Sequence, residues 1–189
     1  MQITASACPP ALDYARRDRP LCPEHNRATL GALVRDKRIL SVVLAINFAA
    51  YPISDWPLVA AGLDRAVEEL VGAGKRVVVL GPIPIMPFDP PSALGMMAAR
   101  GVDLSRFGLS REEFDSSSRF AAEVTQRLHH YRGATVIDVA AILCDSSNCP
   151  AYRHGALYFN RDHLSIFGAR RVVNSVDRQL LDALNLSKQ

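Results

Sequence analysis

Three runs of β-branched and aliphatic residues constrain this chain more than any other feature. "RILSVVLAIN" at 38–47 and "KRVVVLGPI" at 75–83 are continuously apolar through their middles, and "ATVIDV" at 134–139 is a shorter version. A strand with one wet face alternates polar and apolar residues, whereas a strand without that alternation is covered on both faces, as in a parallel sheet. Parallel neighbours need a crossover of about a dozen residues or more, usually a helix. Helical patterns fill the intervals. After Ser54 and Asp55, residues 56–72 place Val59, Leu63, Ala66, Val67 and Leu70 on one face, with Gly72 and Gly74 as the stop. Residues 110–131 repeat the pattern with Phe114, Phe120, Ala121, Val124 and Leu128. A last helix carries Ala169, Val172, Val173, Val176, Leu180 and Leu184. "QITAS" at the start reads as a further strand, and residues 84–109, rich in Pro, Met and Gly, read as a long excursion with at most a short helix. Strands alternating with helices predict a three-layer α/β fold with right-handed crossovers, binding ligands beyond the carboxyl ends of its strands.

Composition sets the outer bounds. A chain of 189 residues, 49% hydrophobic, suits one domain over 1–189 with a sizeable core. Its 22 Lys and Arg against 19 Asp and Glu, with no long basic run, argue against a nucleic-acid partner. The longest apolar stretch, 39–53, is broken by Ser41 and Asn47 and stops at prolines, too short to span a bilayer. The opening "MQITASACPP" lacks the charged and apolar regions of a signal peptide.

The four cysteines point to a different compartment from that leaderless start. Cys144 and Cys149 close the loop "CDSSNC", and Cys8 and Cys22 each precede a proline in stretches that read as loops. Two local pairs fit two short-loop disulfides, Cys8 with Cys22 and Cys144 with Cys149, and hence an oxidising environment. Buried free thiols are one alternative. A metal site is the other, although the spacing does not match zinc ligands.

The segment "LYFNRDHLSIFGARRVV" at 157–173 gathers Asn160, Arg161, Asp162, His163 and Ser165 just before the last helix. Ser165 is placed to cap that helix, which puts His163 in a loop at a helix entrance. Loops fixed by a scaffold commonly carry catalytic groups, but a surface turn bonded to its own neighbours explains the same residues. Other polar positions divide similarly. Asn47 ends a strand at the ligand edge, where its amide suits either an oxyanion donor or a local cap. Tyr51 and Trp56 suit sugar stacking or simple core packing. Asp138 reads as a turn or cap residue, and His129 and His130 suit a helix end whose dipole favours cations. Arg153 and His154 follow the second cysteine pair.

Taken together, "ITASACPP", "SVVLAINFAAY", "GKRVVVLGPIPI", the cysteine pair and "LYFNRDHLSIFGA" resemble the SGNH-hydrolase-like domain. The closer resemblance is to its periplasmic version, fused to or acting with membrane acyltransferase-3 proteins that O-acylate cell-envelope sugars. The closing motif, a tyrosine followed by D-x-x-H-L-S-x-x-G-A, is the most specific part. The resemblance implies a flavodoxin-like sandwich, a serine that carries an acyl group, and a histidine and aspartate that activate it. It implies no metal or organic cofactor. The partners it implies are envelope polysaccharide, an acyl donor and a membrane acyltransferase domain, in a periplasmic or other extracytoplasmic setting. His163 takes the family's general-base position, and Asn47 lies near its oxyanion asparagine.

Two departures follow from the same resemblance. The family's nucleophile sits in Gly-Asp-Ser on the first strand-to-helix turn, and that tripeptide occurs nowhere here. Asn160 stands three residues before His163, where the family has aspartate; an asparagine orients an imidazole but cannot compensate its positive charge. Asp162 is the adjacent substitute after a local shift. Ser165, Ser6 and Ser54 are the nearest alternative serines, and none lies in a glycine-flanked strand-to-helix turn. If "QITAS" is the family's second strand, the central first strand is missing along with the serine, leaving a gap in the sheet. The expectation is a truncated reading of a longer protein, inactive as written. The alternative is a non-catalytic module that binds carbohydrate or a partner.

Overall fold

Two short ladders of hydrogen-bonded strands organise the structure, a computed structural model that describes residues 2–5, 7–105 and 107–183, with the backbone alone at 177–180, 182 and 183. In chain order the elements are α1 (Cys22–Arg35), β1 (Ser41–Ala45), α2 (Trp56–Gly72), β2 (Arg76–Leu80), α3 (Pro90–Ala99) and β3 (Gly108–Ser110), followed by α4 (Arg111–Arg127), β4 (Ala134–Ile137), α5 (Ala140–Leu143), β5 (Asn148–Pro150) and α6 (Ile166–Ala183). They fall into two compact units. One comprises Met1–Gly81, Glu123–Ile137 and Leu180–Gln189; the other comprises Pro82–Ala122 and Asp138–Gln179.

In the first unit the three apolar runs form a parallel sheet in the order β1-β2-β4. Val43 stands opposite Val78, and Val79 opposite Val136. The middle strand is covered on both faces, and Val77, Val78 and Val79 are all buried. The apolar stripe of α2 is buried as its spacing predicts, at Val59, Leu63, Ala66, Val67 and Leu70. Gly62 belongs to the same face for a separate reason. Its carbonyl accepts from the Leu12 N–H at 2.9 Å, and a Cβ there would collide with the Leu12 backbone. Lys75 is buried with its charge satisfied, donating from Nζ to the carbonyls of Asp36 and Ile39, each at 2.8 Å. That bond pair fixes the turn that feeds β1.

Three expectations need correction here. Residues 2–5 of "QITAS" form no strand, since a strand exists only by pairing and no described backbone lies in ladder with them. Cys22 does not lie in a loop. It opens α1, with Pro23 in the first turn, where the missing N–H costs nothing. Periodicity did not reveal α1 because it buries only Cys22 and Leu30, too few to make a stripe. In α6, Val172 and Val176 are buried as expected, but Ala169 and Val173 are exposed. Gly168 takes the inward place, because it packs where a Cβ would strike the Leu157 backbone. The expected contributions of Leu180 and Leu184 lie outside the described side chains.

The second unit adds a short antiparallel pair, β3 with β5, so the fold is mainly but not wholly parallel. Its core joins Met86, Leu94, Phe114, Ala140, Leu157 and Tyr158 around the Cys144–Cys149 disulfide. The excursion at 84–109 does hold one short helix, α3, capped by Asp89. A capping box starts α4: Ser110 N–H donates to Glu113 Oε2 at 3.0 Å, and Glu113 N–H to Ser110 Oγ at 3.1 Å. Both anticipated disulfides, Cys8–Cys22 and Cys144–Cys149, are formed.

Two stability tests follow. Gly62→Ala forces α2 and the Leu12 backbone apart and should cost about 1–3 kcal/mol, read from the urea midpoint. The Asp36 carboxyl is held down to about 2, first by the Arg38 side chain and then by the Arg38 N–H. A depressed carboxylate stabilises the fold above its ordinary value and loses that contribution as pH falls towards 2. Asp36→Asn should therefore flatten the decline in melting temperature between about pH 4 and pH 2.

Candidate active site

The loop bearing His163 begins where the buried chain surfaces. Leu157 and Tyr158 are fully buried, and Tyr158 forms an antiparallel bridge with Leu164 across the loop. Inside that bridge the Phe159 N–H donates to the His163 carbonyl at 2.8 Å, closing residues 159–163 into a tight turn. Arg161 fastens the turn to its surroundings. Its Nε donates to the Met86 carbonyl at 3.1 Å, while its own carbonyl accepts from the Met86 N–H at 2.8 Å. Ser165 closes the far side as the spacing predicts. Its Oγ accepts from the Gly168 N–H at 3.0 Å and donates to the Ala156 carbonyl at 2.6 Å.

Asn160 is the hub of the turn. Its Oδ1 accepts from the N–H groups of Asp162 (3.1 Å) and His163 (2.8 Å), and also lies 3.0 Å from His163 Nδ1. Asp162 Oδ1 lies 3.0 Å from the same ring nitrogen. Neighbouring side chains along a chain normally diverge, but the tight turn bends Asp162 back onto the ring without any further shift. Both partners of Nδ1 are acceptors, so in the neutral ring Nδ1 carries the hydrogen and Nε2 the lone pair. Asn160 Oδ1 already serves two backbone donors, which leaves the Asp162 carboxylate as the stronger partner. It also supplies the negative charge that an asparagine lacks. The His163 side chain is exposed, so Nε2 is open to approach. This arrangement can take a proton from a hydroxyl and hold the resulting imidazolium.

The remaining candidates are placed as follows. In the first unit, Asn47 Oδ1 accepts from the Ala49 N–H at 3.1 Å, capping a short 3-10 turn. Tyr51 is buried and edge-on to Tyr14, and Trp56 Nε1 donates to the Tyr51 carbonyl, so both rings are used in packing. Ser54 bonds Asp55, and Ser6 lies outside the described residues. In the second unit, Asp138 Oδ1 accepts from the Ala141 N–H at the start of α5, and Arg153 pairs with Asp145. His154 has a left-handed backbone, φ 61°. Among the described residues no cluster of His, Cys, Asp or Glu could hold a metal ion.

Sequence reasoning passed over the apolar rim of the loop. Phe159 and Ile166 are 71% and 76% exposed, and Phe167 is also exposed, packing beside Gly155. Three exposed large apolar side chains close to His163 in the chain are a signal readable in "YFNRDHLSIFG" once the loop is known to surface there. Buried Tyr158 is a second omission. Its hydroxyl has no hydrogen-bond partner among the described residues, and burial pushes its ionisation well above the ordinary tyrosine value.

The tautomer can be tested directly. Ring 15N shifts at neutral imidazole should report a hydrogen on Nδ1 of His163. Removing both acceptors (Asn160→Ala with Asp162→Ala) should move the population towards Nε2–H, the form favoured by free imidazole side chains.

Comparison with known proteins bears on the family and the fold. A family model described as "SGNH domain (fused to AT3 domains)" matches residues 1–178. No curated protein sequence matches the chain. Among solved structures, the periplasmic domain of a lipopolysaccharide acetyltransferase from Salmonella ser. Paratyphi A is similar at a TM-score of 0.72 and 15% identity. That match covers 92% of this chain and 69% of the other. At that identity the likeness concerns the fold, which is α/β around a parallel sheet in both. No helix among the described residues is long and apolar enough to cross a membrane, and the two disulfides fit an extracytoplasmic setting. With the family model spanning nearly the whole chain, from the first residues through the His163 loop and into α6, this protein belongs to the family of SGNH domains that are fused to AT3 domains.

Proposed function

We propose that residues 1–189 act as one SGNH-like domain in acyl transfer or ester hydrolysis on cell-envelope polysaccharide, beside a membrane acyltransferase domain in the periplasm. His163 is the general base, Asp162 and Asn160 orient it, and the acyl-bearing serine comes from a Gly-Asp-Ser segment outside these 189 residues. The observation that carries this reading is the 3.0 Å approach of both Asp162 Oδ1 and Asn160 Oδ1 to His163 Nδ1, with Nε2 left open. The family membership supports it, as does the acetyltransferase title of the similar solved domain. In the proposed step, Nε2 takes the serine proton as the hydroxyl attacks the acyl carbonyl. The imidazolium then returns that proton to the leaving oxygen, and in the second half Nε2 takes a proton from the acceptor hydroxyl or water that attacks the acyl-serine and passes it to the departing serine oxygen.

The exposed Phe159, Ile166 and Phe167 favour a second reading. In it the same rim binds an acylated sugar without turning it over. An acetyl-ester hydrolysis assay separates the two. The 189-residue protein should be inactive. A version extended upstream by a Gly-Asp-Ser-bearing segment should turn over, and His163→Ala in that version should lower kcat about 10²–10⁴-fold. Sugar binding without turnover in the extended version would establish the binding module instead.

A further inference from the structure

The last helix is apolar on two sides. Its inward face carries Gly168, Val172 and Val176, all buried. Ile166, Ala169, Arg170 and Val173 recur at three- and four-residue steps on another face, and all four are exposed. Ile166 is 76% and Val173 55% exposed. The loop that enters the helix adds a further apolar side chain. Tyr158 bridges Leu164, and the Ser165 N–H donates to the Leu157 carbonyl at 2.9 Å, so the turn carrying Phe159 is held beside the first residues of α6. Phe159 is 71% exposed on that turn. Large apolar side chains gathered on one outward face mark a surface that something else covers.

Charge narrows what the cover is. Residues 151–175 contain four arginines and a single acidic residue, Asp162. Arg153 pairs with Asp145, and Asp162 is held against the His163 ring, so Arg161, Arg170 and Arg171 give the segment its positive charge. Arg170 is the informative one, because it stands one turn from both Ile166 and Val173, inside the apolar face. A dry protein interface closing over that face would bury its guanidinium, which is costly unless a bonded anion comes with it. A neutral sugar supplies no anion. A phospholipid surface supplies both halves: acyl chains for Phe159, Ile166 and Val173, and headgroup phosphates within reach of a long arginine side chain. A bilayer also accepts side chains that project, without a groove of matching shape.

We propose that this face of α6, with the Phe159 turn, docks on an anionic phospholipid surface. Phe159 and Ile166 enter the interfacial layer, and Arg170 pairs with headgroup phosphate. Docking in this way holds the His163 loop, which lies between Phe159 and Ile166 in the chain, at the bilayer surface. A substrate that reaches Nε2 is then one presented there. The inference goes beyond the proposed chemistry and does not rest on it. Vesicle binding is read without turnover, so either can fail while the other stands.

Co-sedimentation of the 189-residue protein with vesicles is the test. Vesicles of phosphatidylglycerol mixed with phosphatidylethanolamine should bind it, and vesicles of phosphatidylcholine alone should bind it about tenfold more weakly. Phe159→Ser combined with Ile166→Ser should weaken binding to the anionic vesicles by about tenfold or more. Arg170→Glu should weaken it by about tenfold. Leu58→Ser, which replaces a side chain 63% exposed on α2 of the first unit, should leave binding unchanged. A readout on the unsubstituted protein is independent of how the variants fold. In bicelles, a lipid spin-labelled at its headgroup should broaden the amide signals of Phe159, Ile166 and Arg170 more than those of Val77, Val78 and Val79. Failure to bind anionic vesicles would overturn the proposal, as would equal binding to phosphatidylcholine, equal loss in Leu58→Ser, or broadening centred elsewhere. Dimerisation without lipid that the double variant abolishes would overturn it by giving the face to a second copy. Broadening of the same signals by an acetylated oligosaccharide, with no vesicle binding, would give the face to a sugar instead.

Discussion

Everything in the first unit is built outward from β2, the strand whose two edges are both paired. Its three central valines are covered on both faces, and its backbone groups alternate between β1 and β4. Inside a protein an unpaired backbone group costs about as much as a lost hydrogen bond, so a buried strand is stable only with partners on each side. The buried stripe of α2 gives this sheet its apolar cover. Lys75 spends its ammonium on two carbonyls beside β1 because a buried charge must be bonded. At β1 the described residues pair on the β2 side, and a cavity lies along the strand.

The second unit solves a different problem: it holds a polar turn rigidly at a surface. Buried Tyr158 and Leu157 anchor one end, Ser165 caps α6 at the other, and Arg161 exchanges two bonds with the Met86 backbone in between. With its ends so fixed, the turn has little freedom, and Asn160 Oδ1 consumes the remaining donors. The consequence is chemical. A carboxylate one residue from the histidine, which would swing away in a looser loop, is held against its ring nitrogen. An orienting group can thus be supplied at a different position in the chain, provided the turn is tight enough to bring it round.

Several elements were legible because their cause is local. The helix at 56–72 was readable to the residue from its stripe and its stop, β1 and β2 from their unbroken apolar middles, and β4 from its β-branched run. The cysteine pairs were readable because short loops bring partners close. Where the cause is a distant partner, the pattern misled. Residues 2–5 have the composition of a strand but no ladder partner among the described residues, and α1 has too little buried surface to leave a periodic trace. The inward face of α6 turned on Gly168, whose importance comes from a close approach to Leu157 that no spacing rule contains.

The sequence by itself determined the class of fold, the two disulfides, the histidine and its neighbours, and the absence of a Gly-Asp-Ser nucleophile among these residues, because composition, period and spacing express each of these locally. Tertiary structure alone decided which side chains reach the His163 ring, which apolar side chains of that loop are exposed, and that β1 borders a cavity. Those depend on directions and distances between segments far apart in the chain, and side-chain direction is fixed only when the backbone's own hydrogen bonds have all been assigned.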